Sequence, residues 1–180
     1  MNIAWILLYT LITHGLEIVI FFKVDGIGLT FERIFKAFLF KILLAFVFLM
    51  IGYMVGDSFL FYFMGPLYGI GLSFLLLRGL PKKLLFFYGL FPMILVNLFY
   101  RGVFYFVLPF WGQEIVDKDS NPIFLLMMIF VCFIVLVFLK WLDYDFTNLR
   151  KEILDKGFQK SLTKINWIMG AYYLVMQSLS

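Results

Sequence analysis

Long apolar runs separated by short polar breaks recur along the whole chain. The first, residues 3–22, is interrupted by His14 and Glu17. The second covers 37–56, with Lys36 and Lys41 placed to snorkel at its start, and the very short turn Asp57-Ser58 follows it. The third, 59–77, ends at Arg78, and the fourth, 84–100, stops at Arg101. Residues 102–111 stay apolar but contain Pro109, so they either extend the fourth helix or lie in the interface. The fifth, 123–139, carries no charge, and the sixth begins at Ile165. A helix needs about 20 apolar residues to cross the hydrocarbon core. The pattern therefore predicts an all-α polytopic membrane helical bundle of about six transmembrane helices, forming a single transmembrane domain over 1–180.

The hydrophilic connection 140–164 has a pattern of its own. Leu142, Phe146, Leu149 and Ile153 follow helical spacing, as do Leu154, Phe158 and Leu162. Glu152 stands four residues before Lys156, a favourable pair on a helix. This predicts an amphipathic cytoplasmic helix between spans five and six, lying on the inner leaflet with its lysines toward anionic lipid and interrupted at Gly157. Upstream, Asp25-Gly26-Ile27-Gly28 reads as a turn.

Composition supports the membrane reading. The chain is 64% apolar and 14% charged, against about 45–50% and about 25% in ordinary globular proteins. The connections are also too short for a folded catalytic domain, which begins at about 50 residues. The first run has no basic region before it and no small-residue cleavage site after it, so a retained span is expected and not a signal peptide. The single cysteine, Cys132, lies in an apolar run, which excludes an internal disulfide and a Cys-rich metal site. His14 is the only histidine, so no multi-histidine metal site is expected either.

A net charge of +4 prompts a search for nucleic-acid binding, but the basic residues sit between apolar runs, where the membrane explains them. Of the 15 Lys and Arg residues, all but Arg101 and Lys118 fall in the connections after spans one, three and five. By the positive-inside rule the N-terminus is outside, and the loops 23–41, 78–83 and 140–164 are cytoplasmic. The outer connections hold Asp57, Glu114, Asp117 and Asp119, which makes the outer face mildly acidic.

Polar groups inside spans are costly unless paired, which makes them the places to look for function. His14 and Glu17 share a helix face and read either as a proton-coupled or ligand-binding pair, or as a packing hydrogen bond. The packing reading is preferred, because Glu17 would lie roughly 20 Å below the outer surface. Asn97 and Arg101 repeat this geometry near the outer end, where Arg101 either snorkels to lipid phosphate or meets a ligand from outside. Glu114, Asp117 and Asp119 would attract a cationic ligand by their field, or form a plain solvated loop. Gly52 with Gly56 and Gly65 with Gly69 have the GxxxG spacing that lets helices approach closely, and Pro66 and Pro92 predict kinks. HExxH, P-loop, GxSxG and GxGxxG signatures are missing, as are the paired glutamates of an intramembrane metalloprotease. No catalytic residue, cofactor or metal ligand is assigned.

Four strings are idiosyncratic: IAWILLYT at 3–10, FFKVDG at 21–26, PKKLLFFYGLFPMILVNLFYRG at 81–102 and INWIMGAYYLVMQSLS at 165–180. In these the chain resembles the N-terminal membrane sensor region of streptococcal peptide-pheromone receptor histidine kinases of the bacteriocin-regulating type, over essentially its whole length. The resemblance implies a quorum-sensing module that recognises a secreted peptide pheromone and signals to a cytoplasmic kinase of a two-component system. The implied partners are that peptide and the bilayer, with a homodimer left open and nucleic acid excluded. The family's phosphoacceptor histidine and ATP-binding boxes have no counterpart here, so the expectation is a sensor part without its kinase domain. With six spans the C-terminus would be outside, and a kinase would need a seventh. Two rival readings are a six-span substrate-binding component of a vitamin uptake transporter and a peptide-immunity membrane protein.

Overall fold

The computed structural model describes residues 3–55, 64–111, 122–143, 145–152 and 155–178. Among these the regular structure is entirely helical: α1 (Ile3–Asp25), α2 (Phe31–Val55), α3 (Met64–Leu76), α4 (Lys82–Trp111), α5 (Pro122–Leu142), a 3-10 turn (Phe146–Asn148), α6 (Leu149–Glu152) and α7 (Lys156–Ser178). Among the described residues, three stretches are long and apolar enough to cross a membrane: Phe31–Met54, Lys82–Phe106 and Leu125–Leu142. Met64–Leu76 is apolar but shorter. On α2, Ile42, Phe46, Leu49, Met50, Tyr53 and Met54 are all exposed, a run of apolar surface that a water-soluble monomer does not carry. The chain is a helical membrane protein.

Several helix limits differ from those read off the apolar runs. Helix α2 starts at Phe31, so Arg33 and Lys36 lie within it. Lys41 does not snorkel outward: it is buried, its ammonium 5.0 Å from the centre of the Tyr68 ring. Helix α4 runs unbroken past Pro92 to Trp111, so 102–111 extends it. The amphipathic helix expected over the connection is instead a 3-10 turn and one short helical turn, followed by a helix that continues into the sixth apolar run. The new start is set at Asp155, whose carboxylate accepts from the N–H groups of Gly157 (3.0 Å) and Phe158 (3.1 Å). That is an N-cap. Gly157 therefore sits in the first turn of α7 and does not interrupt it.

The chain divides into two compact units, each assembled from two separated stretches. One comprises Met1–Ile20 with Leu95–Tyr144, the other Phe21–Ile94 with Asp145–Ser180. In the first, Phe99 packs on Phe138 with ring centres 5.2 Å apart, and Cys132 is fully buried with Val131 and Val135.

In the second unit, helices α3 and α4 meet backbone to backbone. A Cβ added at Gly69 would stand 2.2 Å from the Gly89 carbonyl oxygen, and one at Gly89 would stand 2.5 Å from the Ile70 Cα. Only a pair of glycines permits that approach. The Ser73 hydroxyl reinforces the contact, lying 2.7 Å from the Leu85 carbonyl oxygen and 2.8 Å from that of Ile70. Helices α2 and α3 are joined by Tyr68, stacked on Phe40 at 5.9 Å and donating its hydroxyl to the Ala37 carbonyl at 3.3 Å.

Candidate functional site

The intramembrane polar residues singled out by the sequence resolve into local pairs. His14 Nδ1 lies 3.2 Å from Glu17 Oε2, both side chains part-buried on α1. Arg101 Nε donates to Asn97 Oδ1 at 3.0 Å on α4. Both pairs satisfy part of their own polarity within one helix, at the three- and four-residue spacings that bring side chains together. Glu114, Asp117 and Asp119 lie outside the described residues, as does Gly56. No group of three or more His, Cys, Asp or Glu side chains that could hold a metal occurs among the described residues.

The most constrained polar arrangement is one the sequence did not signal. It is built at the end of α1, just past the apolar run 3–22. There Gly26 adopts φ +62°, and the Ile27 N–H donates back to the Phe22 carbonyl at 2.9 Å, closing the helix in a Schellman motif. Gly26 is required twice over, since an added Cβ would collide with the Thr147 methyl, 2.1 Å away. The turn holds Asp25 fully buried, with neither carboxyl oxygen hydrogen-bonded among the described residues. Burial pushes this carboxyl well above its usual range, and the positive charge of Arg150 pulls it partly back.

Arg150, from α6, donates to the main-chain carbonyl of Asp25 and not to its carboxylate. Its guanidinium also stacks over Tyr88 of α4, 5.3 Å from the ring centre, and its Nε is buried without a partner. The Tyr88 hydroxyl donates to the Phe146 carbonyl at 2.7 Å, while Phe91 packs on the Phe146 ring at 5.2 Å. Asp145 caps the 3-10 turn by accepting from Thr147 N–H (2.9 Å) and Oγ1 (2.6 Å), and these bonds hold its carboxyl below the usual range. Thus the end of α1, the first third of α4 and the segment 145–150 converge on one buried, incompletely paired Asp–Arg–Tyr cluster. The sequence showed Asp25 only as part of a turn and Arg150 only as one basic residue among many.

A comparison with known protein families, curated proteins and solved structures finds no match to this chain.

Proposed function

We propose that the chain is a six-span membrane sensor module, with its N-terminus outside and its basic connections in the cytoplasm, that recognises a secreted peptide pheromone. It carries the signal across the bilayer to a two-component histidine kinase and performs no chemistry itself. The sequence resemblance and the placement of lysines and arginines support this reading.

The observation that carries it is the Asp25–Arg150–Tyr88 cluster. A sensor without catalysis needs an element with two arrangements that ligand can bias. A buried carboxyl beside a guanidinium engaged elsewhere is such an element. Arg150 holds the Asp25 main-chain carbonyl in one arrangement and the Asp25 carboxylate in the other, and the exchange would shift the segment 145–150 against the end of α1. Peptide arriving at Arg101 and the acidic loop containing Glu114, Asp117 and Asp119 would bias that choice through the spans.

The test is a thermal-shift titration of the purified chain in nanodiscs with the peptide fraction of the producing organism's spent medium. A protease-sensitive component should raise the melting temperature, and the triple variant Glu114→Gln, Asp117→Asn, Asp119→Asn should respond less. No shift with any fraction removes peptide sensing. A shift indifferent to the triple variant removes the acidic loop.

A further inference from the structure

Inside the second unit, α3, α4 and α7 line a groove of about 480 Å³, within the roughly 300–1,000 Å³ of ordinary ligand sites. Its lining is divided by chemistry. Pro66, Ile70, Phe86, Leu90 and Trp167 supply an apolar trough, while Lys82 and Lys83 stand at one end. Trp167 and Leu174, 77% and 54% exposed, leave the trough open sideways. Phe86 and Leu90 belong to the membrane-crossing stretch Lys82–Phe106, whose first two residues are the lysines themselves. At 1.5 Å per residue, Leu90 lies roughly 12 Å deeper than Lys82. The trough thus sits at hydrocarbon depth and the two ammonium groups at headgroup depth.

Three further observations sharpen the chemistry at that end. No acidic residue lines the groove among the described residues. Lys160 stands three residues before the lining residue Thr163 on α7, adding positive charge on the same helix face. Asn166 donates its amide N–H to the Lys83 carbonyl at 2.8 Å, which ties α7 to α4, while its Oδ1 is buried with no partner among the described residues.

We infer that this groove is a binding site for phosphatidylglycerol. The phosphate lies between Lys82 and Lys83, and an acyl chain fills the trough along Phe86, Leu90 and Trp167. A neutral zwitterionic lipid offers the same chain but brings a quaternary ammonium toward the lysines, so charge decides between the two lipids. The proposal requires only that α4 crosses the bilayer, and it stands apart from peptide sensing.

Trp167 is the reporter. With Trp5, Trp111 and Trp141 replaced by Phe, the chain goes into phosphatidylcholine nanodiscs containing, at equal mole fraction, either phosphatidylglycerol or phosphatidylcholine with brominated acyl chains. Brominated phosphatidylglycerol should quench Trp167 with an apparent affinity at least about fivefold higher, the weight of one lysine near anionic lipid. The double variant Lys82→Gln, Lys83→Gln should reduce that preference to near unity. Gly170 lines the groove and a Cβ there meets nothing within 4 Å, so Gly170→Leu should narrow the trough and weaken quenching by both lipids. Helicity by circular dichroism confirms that each variant is folded. Equal quenching by the two lipids in the parent overturns the proposal. So does a preference that survives the lysine replacements or the narrowed groove.

Discussion

The two units solve the problem of polar groups in a membrane protein differently. In the first, His14 with Glu17 and Asn97 with Arg101 pair within single helices, three and four residues apart. The second also has local pairs, such as Lys36 with Glu32, but four of its hydrogen bonds reach far along the chain and end on main-chain carbonyls: Arg150 to Asp25 across 125 residues, Asn166 to Lys83 across 83, Tyr88 to Phe146 across 58 and Tyr68 to Ala37 across 31. An intrahelical pair lowers the cost of a polar group without fixing the helix to anything. A bond from one helix to the backbone of another fixes register as well. The second unit therefore has a tied construction, its helices held in register through one another's backbone.

The largest effect expected from this contrast lies on α4, which supplies residues to both units. Gly89 faces the α3 backbone, whereas a Cβ at Gly102 meets nothing within 4 Å. Even one methyl at Gly89 has to push main-chain atoms apart. Gly89→Ala should therefore destabilise the protein by about 3 kcal/mol, the upper range for overpacking. Gly102→Ala should be neutral or stabilise it by up to about 1 kcal/mol, through helix propensity alone. Unfolding in mixed micelles measures both. Similar losses at the two glycines would show that the close backbone approach at Gly89 sets no special limit.

Much of the helical scaffold was legible because apolar runs report on lipid directly. The ends were less so. Helix α4 takes the longer of the two courses open to residues 102–111, running through Pro109 to Trp111. The helix expected over the connection is broken at a point set by the Asp155 cap, which competes with a glycine that is easier to notice. Of the polar features, the local pairs could be read from spacing, because three and four residues along a helix fix a distance. The Asp25–Arg150–Tyr88 cluster could not, because its acceptors are carbonyls that every residue carries. A carbonyl acceptor leaves no mark in the sequence. The Gly69–Gly89 contact was half legible: the GxxxG at Gly65 and Gly69 marked one surface, and nothing marked its partner.

An intermediate effect is expected at Asp25, and it should depend on pH. Its folded-state pKa is raised above the ordinary 3.8 by burial, Arg150 opposing. An acid in this position binds its proton more tightly when folded, so protonation favours the folded cluster. That contribution is complete below about pH 3.8 and is lost as the pH climbs through the raised value. Melting temperature should accordingly fall across that interval, and Asp25→Asn, which cannot ionise, should remove this part of the slope. A variant whose pH profile overlays that of the parent would show that Asp25 does not titrate in the folded protein.

The smallest effect belongs to Asn97 and Arg101. An intrahelical pair at this spacing is worth about 0.2–0.5 kcal/mol in isolation, and interhelical hydrogen bonds in membranes average about 0.6 kcal/mol. A double-mutant cycle with Asn97→Ala and Arg101→Gln should therefore give a coupling energy of no more than about 0.5 kcal/mol. The corresponding cycle on Tyr88→Phe and Arg150→Gln should exceed it, because those two residues hold a buried charge in place and tie the segment 145–150 to α4. If the Asn97–Arg101 coupling proves the larger, the first unit contains a pair coupled as strongly as any in the second. A small coupling has the opposite consequence. The hydrogen bond to Asn97 then contributes little to holding Arg101, and the interhelix bonds of the second unit are the stronger constraint.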